Sequence, residues 1–90
     1  MLPKTDIVED LDEDLVIVFK KPIDGPTGPV SQLVITEPTA GQMMLWDKLE
    51  GVAADVMAIS TVSGIPQSVI EKVPARPFNR AARRIGAFLS

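Results

Sequence analysis

The residues best suited to chemistry in this chain are charged and lie at its two ends. Arg76, Arg80, Arg83 and Arg84 recur at helical spacing within a stretch, 75–90, that contains no acid. Arginines displayed this way can grip phosphates, each contact weakening as salt rises. The overall balance is acidic, however, at a net charge of −3, and no helix-turn-helix spacing surrounds the arginines. A solvated basic face or a protein contact is therefore expected before nucleic acid. At the other end, Asp6, Glu9, Asp10, Asp12, Glu13 and Asp14 outnumber a lone Lys4. Their spacing does not follow an EF-hand loop and lacks its central glycine, so they read as a solubilising tail and not as a calcium site. The lopsided charge has a plain meaning, two solvated segments, and a sharper one, that the two ends pair with each other or with neighbouring copies.

A second group is apolar: Met43, Met44, Trp46 and Met57. Methionine is flexible and polarizable, which suits surfaces that accept partners of varied shape. The bland alternative is ordinary core. Successive residues on a helix sit about 100° apart, so the four consecutive apolar residues from Met43 to Trp46 cannot all face one layer. Some of them must be exposed, or buried against another copy or a partner.

Catalysis has little to work with. The chain has no histidine, no cysteine and no tyrosine, which removes the commonest general base, the thiolate nucleophile and the soft metal ligands. Glu37, Asp47, Glu50 and Asp55 show no pairing suited to general acid–base work, and the loop 25–29 lacks the lysine and following helix of a phosphate-binding loop. No catalytic residue, cofactor or metal is expected. Ninety residues suffice for one small domain with a modest core. The first six residues lack the basic and apolar regions of a secretory signal, and no apolar run approaches the roughly eighteen residues that span a bilayer, which predicts a soluble intracellular protein.

The elements that must position these residues follow from periodicity and punctuation. Residues 1–13 are acidic and aperiodic and are expected to form a flexible tail, leaving 14–90 as a single domain. Leu15, Ile17 and Phe19 alternate with Val16, Val18 and Lys20, so a first strand runs to about Pro22 with both faces apolar. The stretch 22–29 is dense in turn formers, with Asp24-Gly25 the strongest signal, and reads as a long loop. A second strand covers 30–36, giving an antiparallel hairpin. Pro38 stops it, and Thr39 with Gln42 fits a capping box opening a helix to about Glu50. A break at Gly51 separates this from a helix over 52–63, whose stripe is Val52, Val56, Ile59 and Val62 and which Gly64 and Pro66 end. Pro66 then opens a short helix to Lys72, and Pro77 opens a last helix to Leu89 with Phe78, Ala81, Ala82, Ile85, Phe88 and Leu89 as its apolar stripe. The fold class is α+β: an N-terminal antiparallel β-hairpin followed by three to four short α-helices.

Several strings in this order carry a resemblance. They are Phe19-Lys20-Lys21-Pro22-Ile23 before a glycine-containing loop, then Leu33-Val34-Ile35-Thr36-Glu37-Pro38-Thr39-Ala40-Gly41, Ser63-Gly64-Ile65-Pro66, and Val73-Pro74-Ala75-Arg76-Pro77-Phe78, closed by Gly86-Ala87-Phe88-Leu89. Together, over roughly residues 15–89, the chain resembles the tail assembly chaperone family of tailed bacteriophages, the Mu-like group in particular. Gln42 and Pro77 stand where that family often has acids, but each preserves the local start of a helix. The resemblance implies a non-enzymatic chaperone that holds the long, apolar, helical tape-measure protein soluble until tail-tube subunits polymerise round it. It also implies work in the host cytoplasm, absence from the mature virion, and a longer frameshifted form of the chain as a further partner. On this reading the client or self-association surface comprises Met43, Met44, Trp46 and Met57, with Ile85, Phe88 and Leu89 next, and Arg76, Arg80, Arg83 and Arg84 form a basic face. The alternatives are a nucleic-acid-binding regulator using the arginine helix and a structural subunit of the virion.

Overall fold

The computed structural model describes residues 13–89. The acidic tail expected over 1–13 lies outside the described residues except for Glu13. The architecture is α+β, a β-hairpin followed by four helices.

Strand β1 (Leu15–Gly25) pairs antiparallel with β2 (Gly28–Ile35), starting from Leu15 opposite Ile35. Ile17, Phe19, Leu33 and Ile35 point into the core, while Val16 and Val18 lie on the outer face and stay exposed. Both faces of β1 are apolar as expected, but the outer one is left open at Val16 and Val18. β-branched residues satisfy the pleat there without burial.

The hairpin is longer and tighter than the sequence suggested. Both strands continue through the expected long loop to a turn at Pro26 and Thr27, with Gly25 opposite Gly28. Pro22 accounts for the difference. It cannot donate to a ladder, and it sits in a bulge where Phe19, Lys20, Lys21 and Pro22 oppose the single residue Ser31. Beyond the bulge Ile23 pairs with Val30, and both pack against the core. Gly25 is needed for closeness and not for positive φ: a Cβ there would stand 3.0 Å from Val69 Cγ2.

Thr39 caps α1 (Ala40–Met43) through the expected reciprocal pair, Gln42 N–H donating to Thr39 Oγ1 at 3.2 Å and Thr39 N–H donating to Gln42 Oε1 at 2.9 Å. The helix does not reach Glu50. Its path tightens into three-residue turns, with Leu45 N–H donating to the Gln42 carbonyl and Trp46 N–H to that of Met43. The turns bring the Trp46 ring into the core.

Helix α2 (Gly51–Ser63) starts after the expected break and buries Ala58, Ile59 and Val62. Its stripe begins at Val56, because Val52 is 68% exposed. Gly64 ends it with φ +75 and donates to the Ser60 carbonyl at 2.9 Å. The Ser60 and Ser63 hydroxyls donate to the carbonyls of Ile65 and Ile59, both at 2.6 Å, so these serines are tied into the helix end.

Pro66 caps α3 (Gln67–Ile70) and is not its first residue; Val69 and Ile70 are fully buried. Helix α4 (Ala75–Leu89) begins two residues before Pro77, which falls in the first turn where its missing N–H has no partner to lose. The inner face of the hairpin packs on α2 and α4, and α3 meets β1.

Candidate functional site

The apolar residues singled out by sequence separate into three groups. Trp46 and Ile85 belong to the core, at 9% and 4% exposure, and are corrected from surface to interior. Met43, Met57 and Phe88 are half-buried and pack against the same cluster, with Gln67 Nε2 lying 3.4 Å from Met57 Sδ. Only Met44, 77% exposed, and Leu89 are open to solvent.

Met44 has neighbours that sequence reasoning did not select. Leu45 and Leu49 are also exposed in the short segment that links α1 to α2, and Val52 follows in the first turn of α2, so four large exposed apolar side chains fall within nine residues. The signal was the run of apolar residues from Met43 to Trp46. Its geometry required some to face outward, but not which. On the hairpin's outer face Val16 and Val18 form a second exposed apolar pair.

The basic face also divides. Arg76, Arg80 and Arg83 are exposed on α4, whereas Arg84 is buried and leaves the face. Its guanidinium donates to the backbone carbonyl of Glu13 and lies over the Phe88 ring, 5.4 Å from the centroid. A ring face at that distance attracts a cation, and the carbonyl supplies an acceptor, so the buried charge has compensation. Arg84 thereby fastens the start of the described chain to α4.

Arg76 and Arg80 gain partners of like charge. A groove of about 800 Å³ runs between the β1 bulge and the α3–α4 junction, with Lys20, Lys21 and Lys72 joining the two arginines along it. Phe19, Ile23, Pro74 and Pro77 provide its apolar lining, and among the described residues no carboxylate lines it. The Lys72 ammonium donates to the Asp24 backbone carbonyl at 3.4 Å. The bulge explains why the lysines were missed: simple alternation places Lys20 and Lys21 on opposite faces, and the four-against-one register carries both to the groove.

These surfaces can bind by contact and charge. Among the described residues, no three acidic side chains come together as a metal site would require, and no helix is long and apolar enough to cross a membrane. No protein-family model, curated protein or solved structure matches the chain.

Proposed function

We propose that the protein is a non-enzymatic binding module that holds an apolar helical client, acting as a tail assembly chaperone for a phage tape-measure protein before tail-tube polymerisation. The observation that carries this reading is the exposed group Met44, Leu45, Leu49 and Val52. Full burial of one such side chain contributes about 1.5–3 kcal/mol. Four partly exposed ones, set against the loss of rotational and translational freedom on association, suit a hold that is firm when repeated along a long client yet reversible at each point. Two methionines at or beside this segment, Met43 and Met44, let it adapt to successive stretches of such a client. The same surface supports self-association and pairing with a longer frameshifted form.

Co-expression with a tape-measure fragment tests the proposal. The fragment should stay in the soluble fraction with the wild-type chain and precipitate with the M44D/L45D variant. A fragment that precipitates equally with and without the chain overturns the proposal. The virion-subunit alternative is separated by mass spectrometry of purified particles, where a chaperone should be absent. The five cations along one groove favour a second reading, a nucleic-acid-binding regulator. Duplex binding that weakens steeply with salt would carry that reading, and no binding at low salt removes it.

A further inference from the structure

We infer that the basic groove is a docking site for the chain's own acidic segment, residues 6–12, folded back onto the same molecule. This inference stands on the groove and does not rest on the client reading. The groove presents two chemistries at once, an apolar lining with Phe19 and Ile23 and five cations, Lys20, Lys21, Lys72, Arg76 and Arg80. Among the described residues no carboxylate forms an ion pair with Lys20, Lys21, Arg76 or Arg80. The polar contact of Lys72 is to a backbone carbonyl, which leaves its charge uncompensated.

Residues 6–12 offer the complement to both chemistries. Asp6, Glu9, Asp10 and Asp12 supply four carboxylates, and Ile7, Val8 and Leu11 supply apolar side chains between them. Anions brought over a partly apolar surface lined by cations meet an attraction less screened than in open water. A purely solubilising tail would have no use for the three apolar residues.

The start of the described chain is already in the right place. Arg84 holds the Glu13 carbonyl against α4, and Arg80 and Arg76 follow one and two turns back along that helix. From Arg84 to Arg76 is about 12 Å at the helical rise. Seven residues in extended form reach roughly 23 Å, enough to pass both arginines and enter the groove beside Lys72. A segment tethered so close has an effective concentration in the millimolar range, which favours its own groove over that of a second copy at micromolar protein.

Zero-length carbodiimide cross-linking of the full chain, mixed in equal parts as ¹⁴N and ¹⁵N protein, tests this directly. Carboxylates of residues 6–12 should join to Lys20, Lys21 and Lys72 but not to Lys48, which does not line the groove, and every cross-linked pair should carry one isotope. The yield should fall about fivefold or more in 1 M salt, where the screening length is about 3 Å. It should fall similarly in the R76E/R80E variant, whose two altered positions are exposed and leave the core intact. Mixed-isotope pairs would assign the groove to a second copy and overturn the inference. Equal cross-linking to Lys48, or none to the groove lysines, would overturn it as well.

Discussion

Helix α2 and the segment just before it are made of similar residues and meet opposite fates. Ala58, Ile59 and Val62 in α2 are buried, while Met44, Leu45 and Leu49 stand in solvent. Neighbours on several sides are the reason. In α2 the apolar residues Val56, Met57, Ala58 and Ile59 are consecutive too, but α2 packs against β2, α3 and α4 as well as α1, so all four are buried or half-buried. From Met43 to Trp46 the same crowding meets fewer neighbours, α1 packing chiefly on α2, and no single helical face can hold all four. The chain gives up the helix after Met43, buries Trp46 through tight turns, and leaves its neighbours outside. Crowded apolar residues deepen a core where elements close on several sides of them and make a surface where they do not.

Truncating a side chain on each side of the contrast should give its largest effect. Ile59→Ala removes a side chain with no exposed surface and should cost about 2–5 kcal/mol, read from urea unfolding followed by circular dichroism. Met44→Ala should change stability by no more than about 0.5 kcal/mol. Equal losses at the two positions would mean that the linking segment is packed as tightly as the helix.

The end of α2 sharpens the comparison through the backbone. Gly64 holds φ +75 with open space where a Cβ would stand, so Gly64→Ala should destabilise by about 1–2 kcal/mol from conformation alone. Gly86, exposed within α4 and equally unobstructed, provides the opposite sign. Gly86→Ala should stabilise by about 0.5–1 kcal/mol. If both substitutions moved the unfolding midpoint in the same direction, the left-handed stop of α2 would not be what ends that helix.

What the sequence made legible is what depends on near neighbours. The Thr39–Gln42 capping box, the Gly64 stop, the break before α2 and the inward alternation of Ile17 and Phe19 all follow from residues within a turn or two of one another. The bulge was hidden because its register is a property of two strands: Pro22 marks an irregularity but does not say how many residues oppose Ser31. Arg84 was misplaced for a similar reason. Its partners include a carbonyl 71 residues away and a ring one helical turn on, and only the folded chain brings the first to it. The candidate site was legible in kind and not in membership. The sequence announced surplus apolar residues near position 44, yet Trp46 and Ile85 went inward while Leu49 and Val52 remained outside.

The capping box tests how far the short helix α1 controls the segment after it. Thr39→Ala leaves the Gln42 N–H without its cap and should cost about 1 kcal/mol. Because Trp46 follows within seven residues, the loss should also red-shift its fluorescence as the ring gains water. A stability loss with unchanged emission would show that the tryptophan is held by the core and not by the turns that deliver it.

The smallest effect on stability should accompany the largest effect on association. The M44Q/L45Q variant replaces two exposed side chains by polar ones of comparable length, so the unfolding free energy should stay within about 0.5 kcal/mol per site of the wild type. Apolar surface that contributes nothing to the fold is free to contribute to a contact. Sedimentation velocity across a concentration series should therefore show wild-type association weakened in the variant, with the folded core unchanged by circular dichroism. If association persists undiminished, the contact lies elsewhere, and Val16 and Val18 on the outer face of the hairpin become the surface to alter.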